Sequence, residues 1–218
     1  MGGDPVIEEG YVTPAVQDEH PDLRLCWITT SGGPARSPRE LKGRLKDLSS
    51  RFSGPRAVSM RSEPVPQAYR IFYRHIGLDP DDPQTRTPVE EAAMRRLMEG
   101  HFASHDAVRD AILMSIVETG VPVWALDDDS LSGRLGIREA LRHELLGEGP
   151  YADELPDGRL VVCDDNGPVA VLFGEIAPPH RPRRETKRLR IFALQVGGVP
   201  ELHVEEALWL CAEALDAV

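Results

Sequence analysis

The hydrophobic period changes near Gly120, and that change limits what this chain can fold into. Before it, apart from the short run LRLCWIT at 23–29, apolar residues recur at helical spacing. After it come VPVWAL at 121–126, RLVVCDD at 159–165, PVAVLFG at 168–174 and LRIFALQV at 189–196, short apolar runs that read as strands. Asn166-Gly167 between the middle two marks a hairpin. Helical spacing returns only in the closing HVEEALWLCAEALDAV, whose Val204, Ala207, Leu208, Cys211, Ala212 and Leu215 share a face. Helices, then meandering strands, then a docked helix predict an α+β fold rather than alternating βαβ units.

Local signals place the helix ends. Ser37-Pro38-Arg39-Glu40 predicts an N-cap, a first-turn proline and a capping-box glutamate for a helix through Leu48. Thr87-Pro88-Val89-Glu90 repeats that pattern and opens a helix to about Met98. Between them a helix starts at Gln67, with Ala68, Ile71, Phe72 and Ile76 as its stripe. Ser104 caps a fourth, with Val108, Ala111, Ile112 and Ile116 facing inward and Gly120 ending it. Residues 1–21 are polar and Pro-interrupted and read as an irregular arm; 22–218 read as one domain.

The three cysteines, Cys26, Cys163 and Cys211, are odd in number and show no CxxC spacing, so they read as buried free thiols. No apolar run approaches a membrane span, and MGGDPVIEEG has neither the basic nor the apolar part of a signal peptide. The Met1-Gly2 start lacks the Ser or Thr of a myristoylation motif, because Val6 stands there. A cytoplasmic protein is the expectation.

The formal net charge is -11, yet Arg181, Arg183, Arg184, Lys187, Arg188 and Arg190 gather within ten residues, offset there only by Glu185. A solvated charge run and an electrostatic footprint for a polyanion both fit that composition. Metal and catalytic motifs are absent: there is no phosphate loop, no GxSxG and no HExxH. His101 and His105 have ligand spacing but no third ligand, and Asp127-Asp128-Asp129 reads as a solvated turn. Asp110 and Glu118 stand eight apart on one helix and default to its surface.

Segment order says more than any local motif. AYRIFYRHIGLDPDD, PVEEAAMRRLMEG, AVRDAILMSIVETGVPVWALDDDSLSGRLGIREA, LPDGRLVVCDDNGPVAVLFG and RETKRLRIFA follow one another across nearly the whole chain. This resembles the aminoacyl-tRNA editing and binding (B-three/four) domain of the phenylalanyl-tRNA synthetase beta chain, and more closely the free-standing proteins built from that domain alone. Asp110, Glu118, Gly120, Pro122, Asp127, Gly133, Arg138, Asp164, Gly167 and Thr186 carry the matches.

The resemblance implies a layered α+β domain with mixed sheets, no cofactor or metal, and the acceptor end of an aminoacyl-tRNA as partner, with no DNA or membrane. It implies an acyl pocket at Pro122, Trp124, Leu135, Ile137, Phe173, Gly174, Phe192 and Ala193. Trp124 and Phe192 replace the family's histidine and glutamate, and Leu113 an asparagine, so a hydroxyl-reading pocket is not expected. No general base matches. Hydrolysis in trans of a mischarged or non-standard aminoacyl-tRNA is the function implied, and non-catalytic binding of a tRNA or amino-acid-like ligand is its alternative. A packing-only domain in which Trp124 and Phe192 fill the old pocket is the third. Alternation along the last core strand puts Arg188, Arg190 and Phe192 on one face, which would lead a bound RNA end from the arginines to the pocket. With about four to six phosphates neutralised, binding would weaken steeply with salt.

Overall fold

The computed structural model describes residues 6–149 and 152–216. The Met1-Gly2 start and the last two residues of the HVEEALWLCAEALDAV segment fall outside that range. The fold is α+β. In chain order the strands are β1 Glu8–Glu9, β2 Tyr11–Val12, β3 Arg24–Ser31, β4 Val123–Asp127, β5 Gly136–Glu139, β6 Leu145–Leu146, β7 Asp153–Glu154, β8 Leu160–Cys163, β9 Pro168–Val171 and β10 Arg188–Gln195. The helices are α1 Pro14–Glu19, α2 Arg39–Arg51, α3 Gly54–Ser59, α4 Pro64–His75, α5 Pro88–Glu99, α6 Ala107–Thr119 and α7 Glu201–Asp216.

Two four-stranded sheets organise the molecule. The first is antiparallel in the order β1-β3-β10-β4; the second runs β2-β5-β8-β9, with β2 and β5 parallel. On the first sheet, alternation sends Leu189, Ile191 and Ala193 to one face beside Cys26, Ile28, Val123 and Ala125, where α6 and α7 cover them. The opposite face carries Trp27, Phe192 and Trp124 in one cross-strand row. The second sheet and α4 close over that row, with Tyr69 Oη donating to Leu194 O at 2.7 Å. A sheet buried on both faces explains why LRIFALQV reads as a continuous apolar run.

The N-terminal stretch is not an irregular arm. β1 pairs with β3, β2 pairs with β5, and α1 follows, so this short segment ties the two sheets together. Two-residue strands are too short to show a period, which hid them. Tyr11 lies across Gly136 so closely that a Cβ there would fall 2.2 Å from its ring, and Tyr11 Oη is 3.2 Å from Cys163 Sγ. Gly136→Val is expected to unseat Tyr11 and cost about 1–3 kcal/mol of stability, read by chemical denaturation. Retained stability would mean that the seat is dispensable.

Several helix expectations need correction. Thr87 and Glu90 do form the capping box of α5. Ser37 and Ser104, however, cap nothing: Pro38 precedes α2, Asp106 caps α6, and both serine hydroxyls donate instead to the carboxylate of Asp110. Asp110 is thereby fully buried, not a surface residue. The helix expected from Gln67 begins at Pro64, since prolines are tolerated in a first turn whose N–H groups have no helical partner. Its buried face is Ala68, Tyr69, Phe72 and Tyr73, while Ile71 is exposed. The three thiols are buried and free, and burial pushes Cys26 up to about 11 and Cys211 up to about 12.

Candidate functional site

Arg188 and Arg190 do not stand free. β4 runs directly into a single 3-10 turn, Asp128–Ser130, which sets Asp128 beside the first residues of β10. One Asp128 oxygen accepts from Arg188, at 3.1 Å from Nε and closer still from Nη2, and the other accepts from Arg190 Nε at 2.8 Å. Side-chain exposure is 2% for Asp128, 16% for Arg190 and 59% for Arg188. Arg190 also donates to Gly133 O at 3.2 Å and lies 5.7 Å over the Trp27 ring. Asp129 sits 3.6 Å from Arg188. Two arginines therefore meet two carboxylates, and that corner is locally neutral. The expectation that Asp127-Asp128-Asp129 is merely a solvated turn fails for Asp128, which is one of the most buried charges of the fold.

The loop before β10 is held in shape by its own hydrogen bonds. Thr186 Oγ1 donates to Asp127 Oδ2 at 2.7 Å and accepts from Arg183 N at 2.9 Å. Arg181 donates to Ile176 O at 2.7 Å and faces Glu175 at 3.5 Å; Arg183 donates to Pro179 O at 2.7 Å. Arg183, Arg184 and Lys187 are exposed and have no carboxylate partner among the described residues. Half of the expected run is thus neutralised and half remains available.

His180 was not singled out from the sequence. Ser130 Oγ donates its one proton to Asp127 O at 2.6 Å, so the 3.0 Å contact with His180 Nδ1 requires the histidine to donate. Burial holds His180 below the usual histidine range and therefore neutral near pH 7. Its Nε2 carries the lone pair. Asp127, Gly133, Asp164 and Thr186, far apart in sequence, converge here: Asp164 Oδ2 accepts from Ser132 N at 2.8 Å, beside Gly133 and Arg190. That convergence was the available signal.

The expected acyl pocket is built mostly of rings. Trp124 and Phe192 stack, with centroids 5.4 Å apart and planes 15° from parallel. Phe173 meets Trp124 edge-on at 5.7 Å and also touches Tyr69, Phe72 and Tyr73 at 6.0, 5.8 and 4.9 Å. Phe173 holds φ at 57°, unusual for a bulky residue, and these contacts keep it there. Pro122, Leu135 and Ile137 are buried. Ala193 is not part of it, because it lies on the other face of β10 toward α6 and α7. Gly174 has no room for a side chain: a Cβ would sit 2.9 Å from Val171 Cβ. Surface cavities of about 300, 690, 180, 530 and 260 Å³ open elsewhere, and none of them is lined by these eight residues.

Of the remaining candidates, His101 Nδ1 bonds Glu99 O at 3.0 Å, His105 is exposed, and Glu118 pairs with Arg51 at 2.6 Å. No group of three or more ligating side chains with metal-site spacing occurs among the described residues. No helix among them is long and apolar enough to cross a membrane. Compared with protein-family models and with curated proteins, the chain matches none.

Proposed function

We propose that this chain binds the acceptor end of an aminoacyl-tRNA without hydrolysing it. One observation carries the reading: Arg183, Arg184 and Lys187 lie exposed on the loop that leads into β10, without carboxylate partners among the described residues. In a protein of net charge -11, cations left unmatched on one loop are a local site for phosphates. Phosphate contacts position an RNA end and do not select it. Selection falls to Trp124, the half-buried member of the ring stack, whose face suits a base or an apolar acyl group. The stack offers no titratable group to activate water, which favours binding over hydrolysis.

Retention of charged and uncharged tRNA on a filter tests this. Arg184→Glu with Lys187→Glu is expected to weaken retention at least tenfold, with folding stability unchanged within about 0.5 kcal/mol because both side chains are exposed. Equal retention by that variant and the parent would sink the reading.

His180 supports a second reading, hydrolysis in trans. A neutral imidazole with Nε2 unprotonated is the form of a general base. Loss of one aminoacyl species from a panel of charged tRNAs, slowed about a hundredfold or more by His180→Gln, is its expected result. Deacylation at the uncatalysed rate throughout would leave binding as the function.

A further inference from the structure

α2 and α7 are oppositely charged. α2 carries five arginines and lysines against two acids, whereas α7 carries five acids and no arginine or lysine. They stand on either side of a groove of about 690 Å³, with Arg44, Ser50 and Arg51 on one wall, Glu206 and Leu210 on the other and Met114 of α6 between them. Arg44 Nη1 reaches across to Glu213 at 3.5 Å.

The outward face of α7 is apolar at its centre. Leu202 and Trp209, seven residues apart, share that face and are 65% and 45% exposed. Glu206 and Glu213 stand one turn to either side of Trp209, both exposed. On α2, Arg39 and Lys46 are also seven residues apart and exposed, opposite the buried Leu41, Leu45 and Leu48. Neither has a carboxylate partner among the described residues, and Ser50, one turn beyond Lys46, reaches the groove. One surface thus holds an acidic ridge with an exposed tryptophan and a basic ridge beside it.

We propose that a second copy of this chain covers this surface, about a twofold axis through the groove, so that α7 of each copy meets α2 of the other. Because both ridges lie on one surface, a single twofold rotation makes both contacts at once and closes the assembly at two chains. Trp209 is the anchor, its ring leaving water against the partner. Glu206 and Glu213 face Arg39 and Lys46 of the other copy around it, and this pairing sets the register. The surface shares no residue with the loop that carries Arg183, Arg184 and Lys187, so dimer formation stands or falls independently of RNA binding.

Sedimentation of the full chain across a concentration series tests this. The parent is expected to run as a reversible dimer that weakens as salt is raised. Trp209→Ala is expected to weaken it about thirtyfold or more, the loss that marks an interface anchor. Arg39→Glu with Lys46→Glu, and separately Glu206→Lys with Glu213→Lys, are each expected to weaken self-association about tenfold or more. Both are expected to melt as the parent does, since all four side chains are exposed. Mixing the two reversed chains makes both contacts attractive again and is expected to restore dimers near the parent's affinity. A parent that stays monomeric at every concentration, or reversed chains that fail to rescue each other, would overturn the proposal. So would a polymer growing past the dimer, the open assembly that α7 docked on the arginine loop of the next copy would build.

Discussion

Asp110→Ala is expected to lower folding stability by about 2–4 kcal/mol, because it removes a charged acceptor shared by three hydrogen bonds. The carboxylate is wholly buried at the first turn of α6 and accepts from Ser37 Oγ at 2.6 Å, Ser104 Oγ at 2.5 Å and His105 N at 2.8 Å. These donors come from the loop before α2 and the loop before α6, so one side chain fixes two loops. Alanine leaves all three without this acceptor; the buried Ser37 hydroxyl is stranded at a cost of about 1–3 kcal/mol, while the donors of the exposed Ser104 and His105 can turn to water. Asp110→Asn keeps the shape and one acceptor oxygen, and the serine hydroxyls can rotate to accept, so its loss is expected to be smaller, about 1–2 kcal/mol. Urea unfolding with an unchanged m-value would separate lost stability from an altered native state. A loss below about 1 kcal/mol for Asp110→Ala would contradict this picture of the network.

Asp128→Ala is the second large effect, and it has two opposite readouts. Removing the carboxylate strands Arg190, whose side chain is only 16% exposed, and is expected to cost about 3 kcal/mol. Arg188→Ala breaks the same cluster from its exposed end and is expected to leave stability close to the parent's, as surface ion pairs do. The asymmetry is the test, because a merely additive salt-bridge count predicts similar losses. Toward RNA the sign reverses: without Asp128 the two arginines lose most of their counter-charge. Affinity for tRNA is then expected to rise and to become more salt-sensitive. Unchanged binding would mean that neither arginine faces the RNA.

The fold was legible where local chemistry acts alone and obscure where a distant partner intervenes. The Thr87 box formed as its sequence pattern requires, Thr87 and Glu90 bonding each other within one turn. Ser37 carries the same pattern and failed, since a carboxylate 73 residues away takes its hydroxyl. Ile71 reads as core by hydrophobicity, yet Tyr69 and Tyr73 take the buried face, their rings filling space against Phe173 that a small aliphatic group would leave empty. Of the site, the shared face of Arg188, Arg190 and Phe192 on β10 followed from alternation. The pairing of Arg188 and Arg190 with Asp128 did not, because partners about 60 residues apart leave no periodic trace. That pairing changes the functional reading most: it removes two of the six candidate cations, and Glu175 faces a third, Arg181, which leaves three.

The salt dependence of aminoacyl-tRNA binding tests the central claim most directly. Three available cations engaging a single-stranded end give a slope of log affinity against log salt of about -2. A slope near zero would mean that the loop does not hold phosphates, and the binding function would be lost with it. A slope near -4 would mean that all six cations of the run engage and that Asp128 does not restrain the arginines.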